Sequence, residues 1–264
     1  MKRFAFAAMI VVLSAFAFTP GFVRADIAES PAIGAADVPQ CVSDSISASG
    51  RPAADKELDA GRRPDQMMAF FGIKPGMKVA DIFAGGGYTT ELLSRIVGPT
   101  GTVYSQNGPL GEKFKKIGDA WHARLKNPEL KNVVEVDKPF DAKDLIPVAP
   151  GTLDAVVMNM NYHDMVGFHL GPDHVNAAVF EALKPGGIYG VVDHSAAKGS
   201  GDRDAATLHR IDQDFETKQI EAAGFKLAAA SSAMRHPEDD RTWFVFAHRG
   251  ATDRFMLKFV KPEK

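Results

Sequence analysis

The sequence has 264 residues, of which 45% are hydrophobic and 24% charged, and its formal net charge at pH 7 is -2. This slightly acidic balance argues against nucleic acid as a partner. Because Cys41 is the one cysteine of the sequence, no intramolecular disulfide can form. A chain of this length can bury a core without disulfides, and the lack of internal repeats predicts a single domain over residues 51–264.

The first 25 residues have the pattern of a secretory signal peptide. Lys2 and Arg3 precede an apolar run from Phe4 to Phe18, and a small-residue cleavage site ends at Ala25. The apolar run is short for a membrane span. We therefore expect cleavage after Ala25, export to the periplasm and no stable membrane anchor afterwards, with an uncleaved N-terminal anchor as the alternative.

Residues 26–50 are rich in Ala, Ser, Pro and Gly, which predicts a flexible leader in which Cys41 is a bystander thiol. The amphipathic residues 51–71 predict helical structure packed over the first strand. Strands are predicted at residues 78–83, 102–106, 133–136, 153–158, 188–192, 225–230 and 254–260, and helices at 89–97, 111–125, 173–183 and 208–223.

Alternating strands and helices predict an α/β fold, namely a Rossmann-like, doubly wound sheet of seven strands that is mostly parallel. The last two strands have no helix between them, so we expect the C-terminal strand to be antiparallel. For residues 242–248, a strand is favoured over a lid segment whose aromatic side chains cover the ligand site.

The most informative segment runs from Asp81 to Thr90 and reads Asp-Ile-Phe-Ala-Gly-Gly-Gly-Tyr-Thr-Thr. An apolar strand precedes its glycines and a helix follows them. Glycines let the backbone bend and approach a ligand, and the first turn of a helix offers unpaired N–H groups. The segment therefore predicts a site for a nucleoside cofactor. A dinucleotide fits poorly, because its fingerprint requires glycine at the position of Thr90 and an acid about 20 residues later.

The spacing of Asp81, Gly85 and Gly87 resembles motif I of the class I S-adenosylmethionine-dependent methyltransferases. The turn Leu183-Lys184-Pro185-Gly186-Gly187 is similar to the one that leads into the fifth strand of that family. The resemblance covers about residues 70–225. Together with the signal peptide, the end of the chain resembles an exported bacterial branch known as predicted methyltransferases.

This resemblance implies the class I methyltransferase fold, S-adenosylmethionine as the cofactor and a small-molecule acceptor. It implies cofactor binding by Asp81, Ala84, Gly85, Gly86, Gly87, Asn107, Asp141 and Asn159. Asn107 stands where the family usually has an acid for the ribose hydroxyls, and Asp141 is the candidate acceptor for the adenine amine. Phe83 stands where many members have glycine, so it either packs under the helix or narrows the methionine pocket.

Polar residues follow the fourth and fifth strands, whose carboxyl ends face the ligand in open α/β sheets. Since a neutral imidazole can accept a proton, we expect His163, or else His194, to act as the catalytic base, with Asp164 or Asp193 orienting it. Tyr162 or Asn159 would position the acceptor. For each histidine, a hydrogen-bonded structural role remains the alternative.

Two other functions stay open at this point. One is an exported binding protein that kept the fold and lost methyl transfer, as the departures at Phe83 and Asn107 would suggest. The other is a metal-dependent enzyme that uses the His/Asp cluster at the strand ends. Adjacent residues of a strand point to opposite sides, which argues against a metal site that uses all of His163, Asp164, Asp193 and His194.

Overall fold

The computed structural model of the protein describes residues 27–109 and 111–263, so the predicted signal peptide lies outside the described residues. Within this part, no helix has the length and apolarity needed to cross a membrane. The strands are β1 (Glu29–Ser30), β2 (Lys78–Ile82), β3 (Thr102–Asn107), β4 (Val133–Asp137), β5 (Leu153–Asn159), β6 (Leu183–His194), β7 (Lys226–Ser231) and β8 (Arg254–Val260). The α-helices are α1 (Gln40–Ser47), α2 (Ala53–Arg62), α3 (Pro64–Phe71), α4 (Tyr88–Val97), α5 (Lys115–Leu125), α6 (Tyr162–Gly167), α7 (Pro172–Ala182), α8 (Ala205–Leu208) and α9 (Gln213–Ala222).

The strands form one sheet in the order β1-β7-β8-β6-β5-β2-β3-β4. All neighbours are parallel except β8, which is antiparallel to both β6 and β7. The predicted α/β fold with its antiparallel C-terminal strand is confirmed. Long connections through helices join the parallel strands, so helices cover both faces of the sheet.

Each face of the sheet contributes to its own hydrophobic core. Val79 and Ala80 are neighbours on β2, yet Val79 packs with Phe71 and Leu92 on one face while Ala80 packs with Tyr189 on the other. Successive side chains of a strand point to opposite faces, which explains this division. Both cores end at the carboxyl edge of the parallel strands, where many of the side chains are polar.

The described part of the leader is ordered, in contrast to the predicted flexible segment. Glu29 and Ser30 pair with β7 and add an eighth strand to the seven that were predicted. Val42 of α1 is fully buried, and the hydroxyl of Ser45 donates to the carbonyl of Leu92 at 3.1 Å. The composition of this stretch does not predict this packing. Its few apolar side chains are buried only because α4 provides a surface for them to pack against.

Two further segments differ from the predictions. Residues 242–248 form no strand, since their regular structure is a single 3-10 turn at Val245–Ala247. The helix predicted over residues 208–223 begins only at Gln213, as α9, and Leu208 belongs to the separate short helix α8. Between them, His209 has a left-handed backbone with φ of +57°, which no α-helix accommodates.

Helix α2 lies over the carboxyl edge of the sheet and is held there by side-chain contacts. Its Asp55 accepts from the Arg124 guanidinium at 2.6 Å, and its Asp59 accepts from the Tyr88 hydroxyl at 2.7 Å. Arg63, with φ of +47°, separates α2 from α3. The segment predicted to be helical therefore forms two helices with a sharp turn between them, and α2 covers one side of a cavity.

Candidate active site

A cavity of about 780 Å³ lies between α2 and the carboxyl ends of β2, β5 and β6. Eight of the residues predicted from the sequence line it: Asp81, Ala84, Gly85, Gly86, Asn159, His163, Asp164 and His194. The other four, namely Gly87, Asn107, Asp141 and Tyr162, do not. The lining residues that were not predicted include Arg62, Met160, Asn161, Phe246, Arg249 and Arg254.

The glycine loop after β2 leaves room for a ligand. Gly85 has φ of +58°, and a Cβ added to Gly85 or Gly86 would meet no atom within 4 Å. Asp81 lies at the base of the loop, where its carboxyl group accepts from the Thr90 hydroxyl at 2.6 Å. Burial raises the pKa of Asp81 to about 7. The open loop and the buried acid beside it fit the nucleoside cofactor that the sequence implies.

Gly87 and Asn107 have structural roles in the same loop. A Cβ on Gly87 would lie 2.4 Å from Cζ3 of Trp121, so glycine is needed there for the packing of α5. Asn107 accepts the N–H of Gly85 through Oδ1 at 2.8 Å and donates to its carbonyl through Nδ2 at 3.2 Å. Its amide therefore shapes the loop, and it lines a separate cavity of about 190 Å³.

Phe83 adopts a backbone conformation that explains why glycine is common at this position. Its φ is +59°, a left-handed value that is uncommon for a bulky side chain. Its ring packs against Phe140 with centroids 4.9 Å apart, and its carbonyl accepts from the Asn161 amide at 2.8 Å. The neighbouring Asp141 is an exposed turn residue and lines neither cavity.

His163 is held on one side by Asp193. Its ring Nδ1 lies 2.5 Å from Oδ1 of Asp193, and its backbone N–H donates to Oδ2 at 2.7 Å. Burial lowers the pKa of His163, but the charge of Asp193 and the contacts with Asp164 outweigh it and raise the pKa to about 9. His163 therefore carries a proton at neutral pH, which argues against the predicted role of catalytic base.

His194 has the opposite protonation behaviour. Burial lowers its pKa well below the ordinary value, and the charges of His163 and Arg254 act in the same direction. Its Nδ1 lies 2.9 Å from the hydroxyl of Thr252. At neutral pH, His194 is therefore the neutral imidazole of this pair, and it lines the cavity.

Tyr162 belongs to the hydrophobic core and not to the cavity. It is fully buried, its hydroxyl accepts from the Asn176 amide at 2.8 Å, and it lies 3.3 Å from Oε1 of Gln219. Although Tyr162 and His163 are consecutive in α6, their side chains leave the helix in different directions. The prediction that Tyr162 takes part in catalysis is therefore at odds with the structure.

Asp164 links two histidines that are distant in sequence. Its Oδ1 lies 2.6 Å from Nδ1 of His209 and 3.3 Å from Nε2 of His163. These contacts help to lower the pKa of Asp164, although burial opposes them. His163, Asp164 and His209 together offer ligand atoms that lie within 4.8 Å of one another and that could hold a metal ion.

Arg254 is a buried cation that lacks a carboxylate partner within the described residues. Only 2% of it is exposed, its Nη2 has no hydrogen-bond partner, and it lines the cavity. The adjacent Asp253 pairs instead with Arg235 and Arg241. Burial lowers the pKa of Arg254 to about 10, and the nearby Arg62 acts in the same direction. A buried guanidinium of this kind is costly unless a ligand supplies the opposite charge.

The sequence carries little signal for the residues that the predictions missed. Arg254 opens the last strand, and His209 lies in a stretch that was predicted to be helical. Arg62 stacks over the ring of Tyr88 at 4.3 Å, and Arg249 stacks over that of Phe246 at 5.0 Å. Their common location at one cavity depends on how α2 and β8 pack against the rest of the sheet.

A model of the protein-L-isoaspartate(D-aspartate) O-methyltransferase family matches residues 62–193, half of the chain. The chain belongs to this family. The matched region contains the glycine loop, Asn159, His163 and Asp193, while His209 and Arg254 of this methyltransferase lie beyond it. Family membership implies S-adenosylmethionine as the cofactor and does not favour the alternatives of a binding protein or a metal-dependent enzyme of another class.

Solved structures share the fold of this methyltransferase at low sequence identity. A SAM-dependent methyltransferase from Aquifex aeolicus is 20% identical with a TM-score of 0.56, covering 80% of this chain and 98% of its own. An arsenic(III) S-adenosylmethionine methyltransferase from Chlamydomonas reinhardtii is 14% identical with a TM-score of 0.53, covering 85% and 74%. The [4+2]-cyclase SpnF is 16% identical with a TM-score of 0.56, covering 91% and 100%.

At these identities the neighbours establish the fold alone. A cyclase is among them, so the fold does not determine which reaction is catalysed. No curated protein matches the chain at a significant level. The acceptor must therefore be inferred from the residues that line the cavity.

Proposed function

We propose that this methyltransferase transfers a methyl group from S-adenosylmethionine to a small acceptor that carries an anionic group. The observation that carries the proposal is the buried guanidinium of Arg254, whose Nη2 has no protein partner in the described part of the chain. A carboxylate or phosphate is the group that a guanidinium binds best, because its donors match the spacing of the oxygens. A cavity of about 780 Å³ suits small-molecule ligands.

The position of Arg254 favours the acceptor over the cofactor as the source of this anion. Strand order separates β8 from β2 by three strand spacings, or about 14 Å. The glycine loop that would hold the cofactor follows β2. Arg254 lies instead in register with His194, at the ends of β8 and β6.

The same end of the cavity supplies a proton acceptor. Methyl transfer requires a nucleophilic atom on the acceptor, here an oxygen or nitrogen, and S-adenosylmethionine supplies an electrophilic methyl group when bound. The neutral imidazole of His194 can take the proton of a hydroxyl or ammonium group. Arg254 would orient the acceptor through its anionic group, and such alignment accounts for much of the rate in a displacement reaction.

The family description favours a second candidate, in which the anionic group is itself methylated. Methylation of a carboxylate gives an ester, and no base is required because a carboxylate is already a nucleophile. Methylation of a hydroxyl or amine gives an ether or a methylamine. A carboxylate methyl ester is hydrolysed at alkaline pH and an ether or methylamine is not, so alkali treatment of the labelled product separates the two candidates for carboxylate acceptors.

The test is a methyl-transfer screen with labelled S-adenosylmethionine, in which each small carboxylate or phosphate is paired with its neutral analogue. We expect turnover with anionic acceptors and little with the analogues. Arg254→Met should raise KM for the acceptor about tenfold or more and leave the Kd for S-adenosylhomocysteine unchanged. Arg203→Met is the control, since Arg203 is an exposed residue that pairs with Asp204. If Arg254→Met weakens binding of S-adenosylhomocysteine instead, the anion is the carboxylate of the cofactor and the proposal fails.

We also propose that the chain is exported and acts in the periplasm after cleavage at Ala25, on the strength of its N-terminal sequence alone. The expected mature protein begins at Asp26. Mass spectrometry of the protein from a periplasmic fraction would detect that terminus. Recovery of the full-length chain from the cytoplasm would contradict the proposal.

A further inference from the structure

The geometry points to a binding site for a divalent transition metal, formed by Nε2 of His163, Oδ1 of Asp164 and Nδ1 of His209. These three ligand atoms lie within 4.8 Å of one another. Two imidazoles and one carboxylate form a ligand set that suits Zn²⁺, Fe²⁺ or Co²⁺, whereas Mg²⁺ and Ca²⁺ prefer oxygen ligands alone. The methyltransferase reaction does not account for this arrangement.

His163 shows the feature that points most directly to a ligand. Its Nε2 is buried and has no hydrogen-bond partner among the described residues, although Oδ1 of Asp164 lies 3.3 Å away. Leaving such an atom unsatisfied costs free energy. A bound cation would satisfy it and would displace the proton that His163 carries in the metal-free protein. The opposite ring nitrogen faces Asp193, as is common for metal-binding histidines, whose second nitrogen is held by a carboxylate.

His209 reaches the same point from a different part of the chain. It lies between α8 and α9 in a left-handed conformation, and such a strained backbone persists where the surroundings enforce it. The next residue, Arg210, is fully buried and bonds to Asp239 at 2.9 Å, and the following N–H, that of Ile211, donates to the carbonyl of His194. The position of His209 is therefore fixed before any ion binds.

The surroundings leave part of the coordination sphere open on the cavity side. The rings of Phe246 and Phe244 lie 4.8 and 5.6 Å from that of His209 and pack against that side of it. His163 and Asp164 both line the cavity. Three protein ligands with open positions on a cavity are the usual arrangement of a metal site that also binds a small ligand. The cation would then lie next to the acceptor and would bind one of its oxygen or nitrogen atoms.

The test is calorimetric titration of the untagged, chelator-treated protein with ZnSO₄, together with the visible absorption spectrum of the CoCl₂ complex. We expect saturable binding of about one equivalent of Zn²⁺ and a Co²⁺ spectrum that Zn²⁺ abolishes. Neither cofactor nor acceptor is present, so this result does not depend on the proposed function.

His209→Ala is the main variant, because His209 supplies a ligand atom and does not line the cofactor cavity. It should weaken Zn²⁺ binding at least about tenfold and remove the Co²⁺ absorption, with binding of S-adenosylhomocysteine retained as the sign that the variant is folded. Asp193→Asn should weaken Zn²⁺ binding about 10- to 100-fold through the orientation of His163. His174→Ala is the control, because its exposed ring contacts the carbonyl of Ala142 and lies outside the cluster. The absence of saturable binding in the parent protein, or unchanged affinity in His209→Ala, would overturn the inference.

Discussion

The carboxylate of Asp193 contacts His163 twice, with Oδ2 accepting the backbone N–H at 2.7 Å and Oδ1 lying 2.5 Å from the ring Nδ1. This pair joins the end of β6 to the start of α6 and prevents rotation of the imidazole. It is fully buried, so the two groups depend on each other for charge balance. The orientation of His163 is thus a property of the fold and is set before any ligand binds.

Removal of this carboxylate should be strongly destabilising. We expect Asp193→Ala to lower the free energy of unfolding by about 3 kcal/mol, because it removes the closer of the two carboxylates that face the buried imidazolium. Urea denaturation followed by circular dichroism measures the change. Asp204→Ala is the control, since Asp204 pairs with the exposed Arg203 and should contribute less than about 1 kcal/mol. Equal losses in the two variants would contradict the argument.

Asp81 should make the stability of the protein fall as pH rises. Burial raises its pKa from 3.8 to about 7, so between these values the folded protein binds a proton that the unfolded chain has released. This contribution is fully present below about pH 4 and is lost by about pH 7. We expect Asp81→Asn to raise the melting temperature at pH 8 and change it little at pH 4. The exposed Asp202→Asn should alter neither value, and a parallel shift at both pH values in Asp81→Asn would argue against the raised pKa.

Two neighbouring glycines should respond differently to alanine. Gly87 has φ of +82°, and a Cβ added there would lie 2.4 Å from the Trp121 ring, so Gly87→Ala should destabilise the fold by about 2 kcal/mol or more. Gly86 faces open space, so Gly86→Ala should leave the unfolding midpoint nearly unchanged while lowering cofactor affinity. Thermal unfolding and titration with S-adenosylhomocysteine measure the two effects. Similar melting temperatures for the two variants would show that the close approach of Gly87 to Trp121 does not determine stability.

Aspartate, an acid of the kind that the family usually has at this position, should destabilise the protein when it replaces Asn107. In Asn107→Asp, one oxygen still accepts the N–H of Gly85, but the other replaces Nδ2 and faces the Gly85 carbonyl, which Nδ2 now contacts at 3.2 Å. Loss of this donor should cost about 1–3 kcal/mol of stability and should not tighten cofactor binding. Denaturation and calorimetric titration test this expectation. Tighter binding of S-adenosylhomocysteine would mean instead that the side chain turns toward the ribose.

His194 is expected to matter for turnover more than for cofactor binding. Under the proposed function, His194→Ala should lower kcat about 100-fold with the preferred acceptor, because general base catalysis is lost. The Kd for S-adenosylhomocysteine should change little. Single-turnover measurements with labelled S-adenosylmethionine give the rate of the chemical step. An unchanged rate would remove His194 from the mechanism.

The alternation of strands and helices could be predicted because it depends on the local spacing of apolar residues. The class I methyltransferase fold followed from the resemblance carried by Asp81, Gly85 and the turn at Leu183. β1 and the division between α8 and α9 could not be predicted in this way. A two-residue strand exists only because the edge of β7 accepts it, and the left-handed His209 has no signature in composition.

The sequence by itself determined the glycine loop and the buried acid before it, since a strand, a tight bend and a helix start depend on neighbouring residues. It also determined that polar groups follow β5 and β6. Only the tertiary structure decided what these groups do. The pKa of His163 and that of His194 move in opposite directions because two carboxylates meet the first ring, whereas the second is buried beside cations. Arg254 and His209 join the cavity through the pairing of β6 with β8 and through the packing of a distant loop, which no local pattern encodes.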